Sequence, residues 1–228
     1  MHASAIGFDF DHTLGIDNKL EVTAFMDLAQ RIAAASQRTF DRERALIAIS
    51  REIAHYRSGR CTIDQAAALA FEDALGEGGG DRANVEQFRS LAMELAPRHV
   101  QALPGVSDVL RTLDASGFPY AILSNGWNPL QQRKADCIGF QKAVFVSDDL
   151  GVRKPNVHAF NVLRDHFGMT ADRIWYVGDD PLVDVVGALN AGMRAVWCDY
   201  EARKFPTDIP APTAIVTDIR DVLDLLDA

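Results

Sequence analysis

The sequence predicts an α/β protein: a parallel sheet with helices on both faces, interrupted after its first strand by an all-helical insert. Three observations carry this. Short apolar runs recur without clean alternation, as in strands buried on both faces. Helical patterns separate those runs from about residue 104 onward. A long block with no convincing strand fills about residues 16–101.

The expected strands are Ala5–Phe10, Tyr120–Ser124, Ala143–Ser147, Ile174–Gly178, Arg194–Cys198 and Ala214–Thr217. Between them, Val106, Val109, Leu110 and Leu113 recur at three-to-four spacing before Gly117. Val157, Phe160, Leu163 and Phe167 do the same before Gly168. Each pattern is one buried helix face with a glycine stop. Strand–helix–strand order implies right-handed crossovers. In the insert, Val22, Phe25, Met26, Ala29 and Ile32 form one apolar stripe, and Leu46, Ile49, Ile53 and Tyr56 a second. Leu69 to Leu75 is a third, and Val85, Phe88, Ala92 and Leu95 a fourth, with Gly76–Gly80 breaking the chain between them. The proline-rich run Pro206–Pro212 reads as a surface turn.

Composition narrows the function. At 228 residues, 48% hydrophobic and 24% charged, the chain is ordinary globular protein. A formal net charge of −9 disfavours nucleic acid and membrane surfaces as partners, since both need clustered positive charge. Cys61, Cys137 and Cys198 form no CxxC and cannot all pair, which suggests a reducing compartment. No histidine spacing suits zinc, no basic-then-apolar leader opens the chain, and no run approaches a membrane span. The expectation is a cytoplasmic protein, monomer or homodimer. Residues 20–101 carry a net charge of −2 and the remainder −7; all basic residues within 20–101 are arginine.

Four segments carry chemistry, each at the carboxyl end of an expected strand, where open α/β sheets bind ligands. The first is Asp9-Phe10-Asp11-His12-Thr13. If the strand persists, alternation aims Asp9 and Asp11 to one side, and such a pair is costly without positive charge between them. An acidic turn with a capping Asp fits the same residues. The second is Ser124-Asn125-Gly126, offering hydroxyl and N–H donors to an oxyanion, or a helix cap with a turn glycine. The third is Lys154-Pro155, with Pro155 suited to the first turn of the next helix and Lys154 just before it. The fourth is Gly178-Asp179-Asp180-Pro181-Leu182-Val183-Asp184, with carboxylates at the strand end and Asp184 one turn into a helix.

In this order the four segments resemble the motifs of the haloacid dehalogenase-like (HAD) hydrolase superfamily: DxDx[TV] at Asp9–Thr13, a Ser at Ser124, a Lys at Lys154 and GDxxxxD at Gly178–Asp184. The helical block stands where subfamily I members carry a helical C1 cap. The resemblance implies a Rossmann-like (HAD-like) catalytic core from residues 1–15 and 102–228 and a cap at 16–101.

It further implies a Mg²⁺-dependent phosphatase that hydrolyses a small phosphorylated metabolite through an aspartyl-phosphate. Asp9 is then the nucleophile and Asp11 the general acid and base. Thr13 orients the loop, while Ser124, the backbone N–H groups of Asn125 and Gly126, and Lys154 hold the phosphate. Asp9, the Asp11 carbonyl, Asp179 and either Asp184 or Asp180 hold Mg²⁺. Dehalogenase members lack the second aspartate, so Asp11 favours a phosphatase. The phosphonate-cleaving branch needs a cap lysine, and the predicted cap is read as having none. A phosphomutase shares these acids and stays open. A receiver-like phosphoacceptor fits poorly, because such domains are shorter and carry the acceptor on a middle strand. A non-catalytic HAD-like protein would have no need of the acids.

Substrate choice would lie in the cap. Its most basic stretch, Arg51–Arg60, offers Arg51, His55, Arg57 and Arg60 to an anionic or polyhydroxy leaving group; a solvated helix face fits equally well. Replacing Arg57 and Arg60 by Ala should lower kcat/KM across a panel of phosphorylated metabolites. Unchanged rates on every ester would sink the assignment.

Overall fold

Six short strands build a parallel sheet, ordered β5-β4-β1-β6-β7-β8, in the computed structural model, which describes residues 4–226. They are β1 (Ala5–Phe8), β4 (Tyr120–Ser124), β5 (Val144–Val146), β6 (Ile174–Gly178), β7 (Arg194–Cys198) and β8 (Ala214–Val216). A separate antiparallel pair, β2 (Gly15–Ile16) with β3 (Gln101–Ala102), joins Gly15 to Ala102 and Ile16 to Gln101. β1 is central, pairing with β4 on one side and β6 on the other. β1, β4 and β6 are buried along their whole length, which explains their unbroken apolar runs.

The chain divides into two compact units, one of residues 1–16 and 101–228, the other of residues 17–100. In the larger unit the expected helices are α5 (Val106–Ser116) and α8 (Val157–Phe167). They end at Gly117 and Gly168, both left-handed, with φ of 67° and 62°. Phe160 and Leu163 of α8 pack with Tyr176, Val185 and Trp197 in the core beside the sheet. Pro155 does not open α8: Asn156 is the cap, accepting from the His158 N–H at 3.0 Å. An Asx cap supplies an acceptor that a proline ring lacks. Two further helices have no counterpart in the sequence reading, α6 (Leu130–Cys137) and α7 (Ser147–Leu150), while α9 (Gly187–Asn190) continues the helical stretch expected around Asp184. The short α10 (Val222–Leu226) follows β8. All but α6 are five residues or fewer, too short to show periodicity. The Pro206–Pro212 run is irregular and mostly exposed. No disulfide forms among the described residues, and Cys198 is buried. No helix there is long and apolar enough to cross a membrane.

The smaller unit is four helices: α1 (Leu20–Ala35), α2 (Arg42–Arg57), α3 (Ile63–Leu75) and α4 (Arg82–His99). Asp41, Thr62 and Asp81 cap the last three, Thr62 in a reciprocal capping box with Gln65. Phe25, Phe71 and Phe88 form its aromatic centre, Phe25 and Phe71 at 4.5 Å between centroids and Phe71 and Phe88 edge-on at 6.4 Å. Two expected stripe residues lie outside: Leu46 is 45% and Leu69 54% exposed. The buried contacts are instead Ala45 and Ala48 on α2 and Ala66, Ala67 and Ala70 on α3. Small side chains let two helix backbones approach, so alanine takes the seam that leucine would pry open. This unit also includes Lys19, an exposed residue with left-handed backbone just before α1. The insert is therefore not lysine-free, although a Schiff-base lysine requires the desolvation this position lacks.

Phe71→Ala should remove about 3–5 kcal/mol from the stability of the helical unit, read by urea denaturation; a loss below about 1 kcal/mol would contradict the aromatic centre described.

Candidate active site

β1 ends at Phe8, and Asp9 extends its ladder by one bond, its N–H donating to Val177 O at 2.8 Å. The chain then turns: the Phe10 carbonyl accepts from Thr13, Leu14 and Gly15. Strand alternation therefore does not set the direction of Asp11, which sits in the turn. Asp9 is buried, while Asp11 keeps a side chain 36% exposed. Thr13 is fully buried, its hydroxyl without a partner among the described residues. Its carbonyl accepts from the Tyr200 hydroxyl at 2.9 Å, tying the turn to the end of β7. His12 has left-handed backbone, φ 63°, and points to a role in the turn itself.

Lys154 is buried under this edge. Its ammonium reaches Asp9 Oδ1, Asp184 Oδ1 and the Tyr176 hydroxyl, each at 2.7 Å. The Tyr176 hydroxyl in turn donates to the Leu123 carbonyl at 2.8 Å. The lysine backbone is clamped as well, its N–H donating to Asn125 Oδ1 and its carbonyl accepting from Asn125 Nδ2, both at 2.9 Å. Burial pulls the ammonium's pKa down, but the Asp184 and Asp9 carboxylates outweigh that and hold it well above its ordinary value. Asp9 is pushed up, chiefly by burial, with Lys154 opposing and Asp184 reinforcing.

After β6 comes the carboxylate loop. A Cβ on Gly178 would lie 2.3 Å from the Asp184 carboxyl carbon, so only glycine lets Asp184 fold back over the strand end. Pro181–Val186 forms a π-helical turn, and Asp184 Oδ2 accepts from the Asp180 N–H at 3.1 Å. The Asp180 carboxylate caps that turn, accepting from Leu182 and Val183 N–H at 2.8 Å each. Asp180 is thus committed to the helix start, whereas Asp184 faces the cluster. Carboxylate oxygens of Asp9, Asp179 and Asp184 lie within 4.8 Å of one another. Burial, reinforced by the Asp184 and Asp180 charges, pushes Asp179 up to about 7. Three carboxylates face one ammonium here. Hard oxygen donors with surplus negative charge fit a small divalent cation such as Mg²⁺.

The family model for haloacid dehalogenase-like hydrolases matches residues 3–192. The chain belongs to that family. A phosphoserine phosphatase of Thermus thermophilus is 34% identical over 158 residues, 67% of this chain and 61% of that protein. The chain thus spans less than two thirds of that relative. A pyrimidine 5'-nucleotidase of Escherichia coli is 27% identical over 177 residues, 75% of this chain and 76% of that protein. The crystal structure of a HAD hydrolase of Bacillus subtilis, described as bound to magnesium, superposes with a TM-score of 0.68 over the full length of both chains at 21% identity, a likeness of fold.

Other sequence-selected residues of this HAD hydrolase fare differently. Ser124 is buried beside the site. The Gly126 N–H, expected to bind phosphate, is taken by the Ser147 hydroxyl at 3.1 Å. Glycine is needed at that position for another reason, since a Cβ would strike the Gln131 side chain at 2.4 Å. Arg51 and His55 are tied down within the helical unit: Arg51 binds Glu52 and Asp73, and His55 Nδ1 lies 3.1 Å from Glu52 Oε2. The buried Glu52 needs these partners. Arg57 and Arg60 are exposed.

Sequence reasoning missed three side chains. Tyr176, under Lys154, hid among apolar strand residues. Gln131 and Lys134, three apart on α6, both reach Asp11. Their i, i+3 spacing directly after the Ser124 loop was the available signal.

Tyr176→Phe leaves a buried ammonium one acceptor short and should cost about 1–3 kcal/mol, read as a lowered Tm with Asp9 still present. An unchanged Tm would mean the hydroxyl contributes nothing.

Proposed function

We propose that this chain is a phosphatase that hydrolyses a small phosphorylated metabolite through an aspartyl-phosphate on Asp9. One observation carries the reading: Asp9 is at once in the three-carboxylate cluster and bound to the Lys154 ammonium, with a second carboxylate, Asp11, two residues on. The relatives named for phosphoserine and for pyrimidine nucleotides support a phosphate monoester as the substrate class.

Asp9 attacks phosphorus, and the bond to the leaving oxygen breaks with its electron pair going to that oxygen. Asp11 gives the oxygen a proton, releasing the alcohol. The Asp11 carboxylate then takes a proton from water whose oxygen attacks the same phosphorus, freeing inorganic phosphate and Asp9. Ser124, the Asn125 N–H and Lys154 hold the phosphate oxygens, and Thr13 secures the turn. Mg²⁺, held by Asp9, Asp179, Asp184 and the Asp11 carbonyl, supplies charge that offsets repulsion between carboxylate and phosphate. A halide departs without a proton, so a donor at Asp11 favours phosphate over dehalogenation. The helical unit acts as the cap that excludes water and selects the leaving group.

Purified protein with Mg²⁺ should hydrolyse p-nitrophenyl phosphate, lose that activity in EDTA and recover it when Mg²⁺ is restored. Asp9→Asn should abolish turnover, and Asp11→Asn, which removes the base that activates water against the phosphoenzyme, should lower kcat by about 10²–10⁴-fold. Activity that survives either EDTA or Asp9→Asn refutes the mechanism. A screen of phosphorylated metabolites then identifies the substrate.

A further inference from the structure

Asp11 stands in a turn where neither strand nor helix dictates its side-chain direction, yet both of its carboxylate oxygens are engaged. Lys134 Nζ forms an ion pair with Oδ1, and Gln131 Nε2 donates to Oδ2 at 3.0 Å. Both partners come from one face of α6. Both are buried, Lys134 at 2% and Gln131 at 4% exposure, beneath a carboxylate that is itself partly open. Lysine is rarely buried to this degree unless something requires its charge there. Phe10, the residue between the two acids, contributes to the seat, its ring centroid 5.1 Å from Nζ. The Gln131 amide nitrogen also donates to Ser124 Oγ at 3.0 Å, so one side chain links the second acid to the phosphate-side hydroxyl. Gly126 keeps the space that this link occupies.

A proton donor works only within hydrogen-bond reach of the atom it serves, and a misplacement of about 1 Å costs on the order of 10²-fold. We propose that Gln131 and Lys134 are positioning residues for proton transfer to the leaving-group oxygen, acting through the Asp11 carboxylate. This rests on the phosphatase reading above. When the phosphorus–oxygen bond breaks, the leaving oxygen takes the electron pair and requires the Asp11 proton if it would otherwise depart as an alkoxide. A p-nitrophenolate is stable without that proton. The two ester classes therefore respond differently to a misplaced Asp11, whereas general damage to the site affects both alike.

The test compares kcat/KM for p-nitrophenyl phosphate and for the best alkyl phosphate from the metabolite screen, in wild type, Lys134→Met and Gln131→Met. Each variant should lose about 10- to 100-fold on the alkyl ester and less than about threefold on the nitrophenyl ester. Lys134→Met removes a buried charge beside Asp11; if it fails to fold, Gln131→Met, which removes none, carries the test alone. Equal losses on both esters, or none on either, overturn the proposal while leaving the phosphatase reading intact. Wild-type protein inert toward every phosphate ester overturns that reading and this inference together.

Discussion

The ammonium of Lys154 is the point on which the carboxyl edge of the sheet depends. Asp9, just after β1, and Asp184, in the π-helical turn after β6, both reach it at 2.7 Å. Without it, two buried carboxylates would face each other, with Asp179 close by, an arrangement that costs several kcal/mol unless the acids protonate. Much of the surrounding structure serves to keep that nitrogen in place. The Tyr176 hydroxyl accepts from it and donates to the Leu123 carbonyl of β4. Asn125 clamps the lysine backbone from the loop after β4. Three strands are thereby tied through a single side chain. One ammonium against three acids still leaves negative charge over, so the same geometry that is stable enough to fold remains receptive to a cation.

Topology explains how residues so far apart in sequence meet. β1 lies between β4 and β6, so the ends of these three strands are neighbours. Asp9 follows the first, Ser124 closes the second, and Asp179 follows the third. Lys154 enters from the loop before α8. The carboxylates stand at or beyond strand ends because the strand interiors here are buried on both faces, where the one polar group of the site is the Tyr176 hydroxyl, satisfied by Lys154 and Leu123.

The sheet was legible in the sequence because those interiors read as unbroken apolar runs, and the strands were recovered to within a residue or two. The motif acids were legible because each follows such a run. The failures have physical causes. Leu46 and Leu69 were assigned inward as members of apolar stripes, but the residues buried there are the alanines beside them. Sequence spacing left Asp180 and Asp184 equivalent; the π-helical turn separates them by giving Asp180 two N–H groups to cap. Gly126 was read as an anion-binding backbone, whereas it makes room for Gln131. Gln131 and Lys134 were overlooked because α6 is short and polar, with no stripe to mark a buried face.

The antiparallel pair β2–β3 brings Gly15 opposite Ala102, so the chain departs from the sheet-bearing unit and returns to it at one place. Every group in the cluster around Lys154 is encoded outside the 84 residues that intervene, 17–100. A segment with adjoining ends can be lengthened, shortened or exchanged at modest cost to the host. A change confined to the inserted helices can therefore leave the acids, the lysine and the strand ends that hold them as they are.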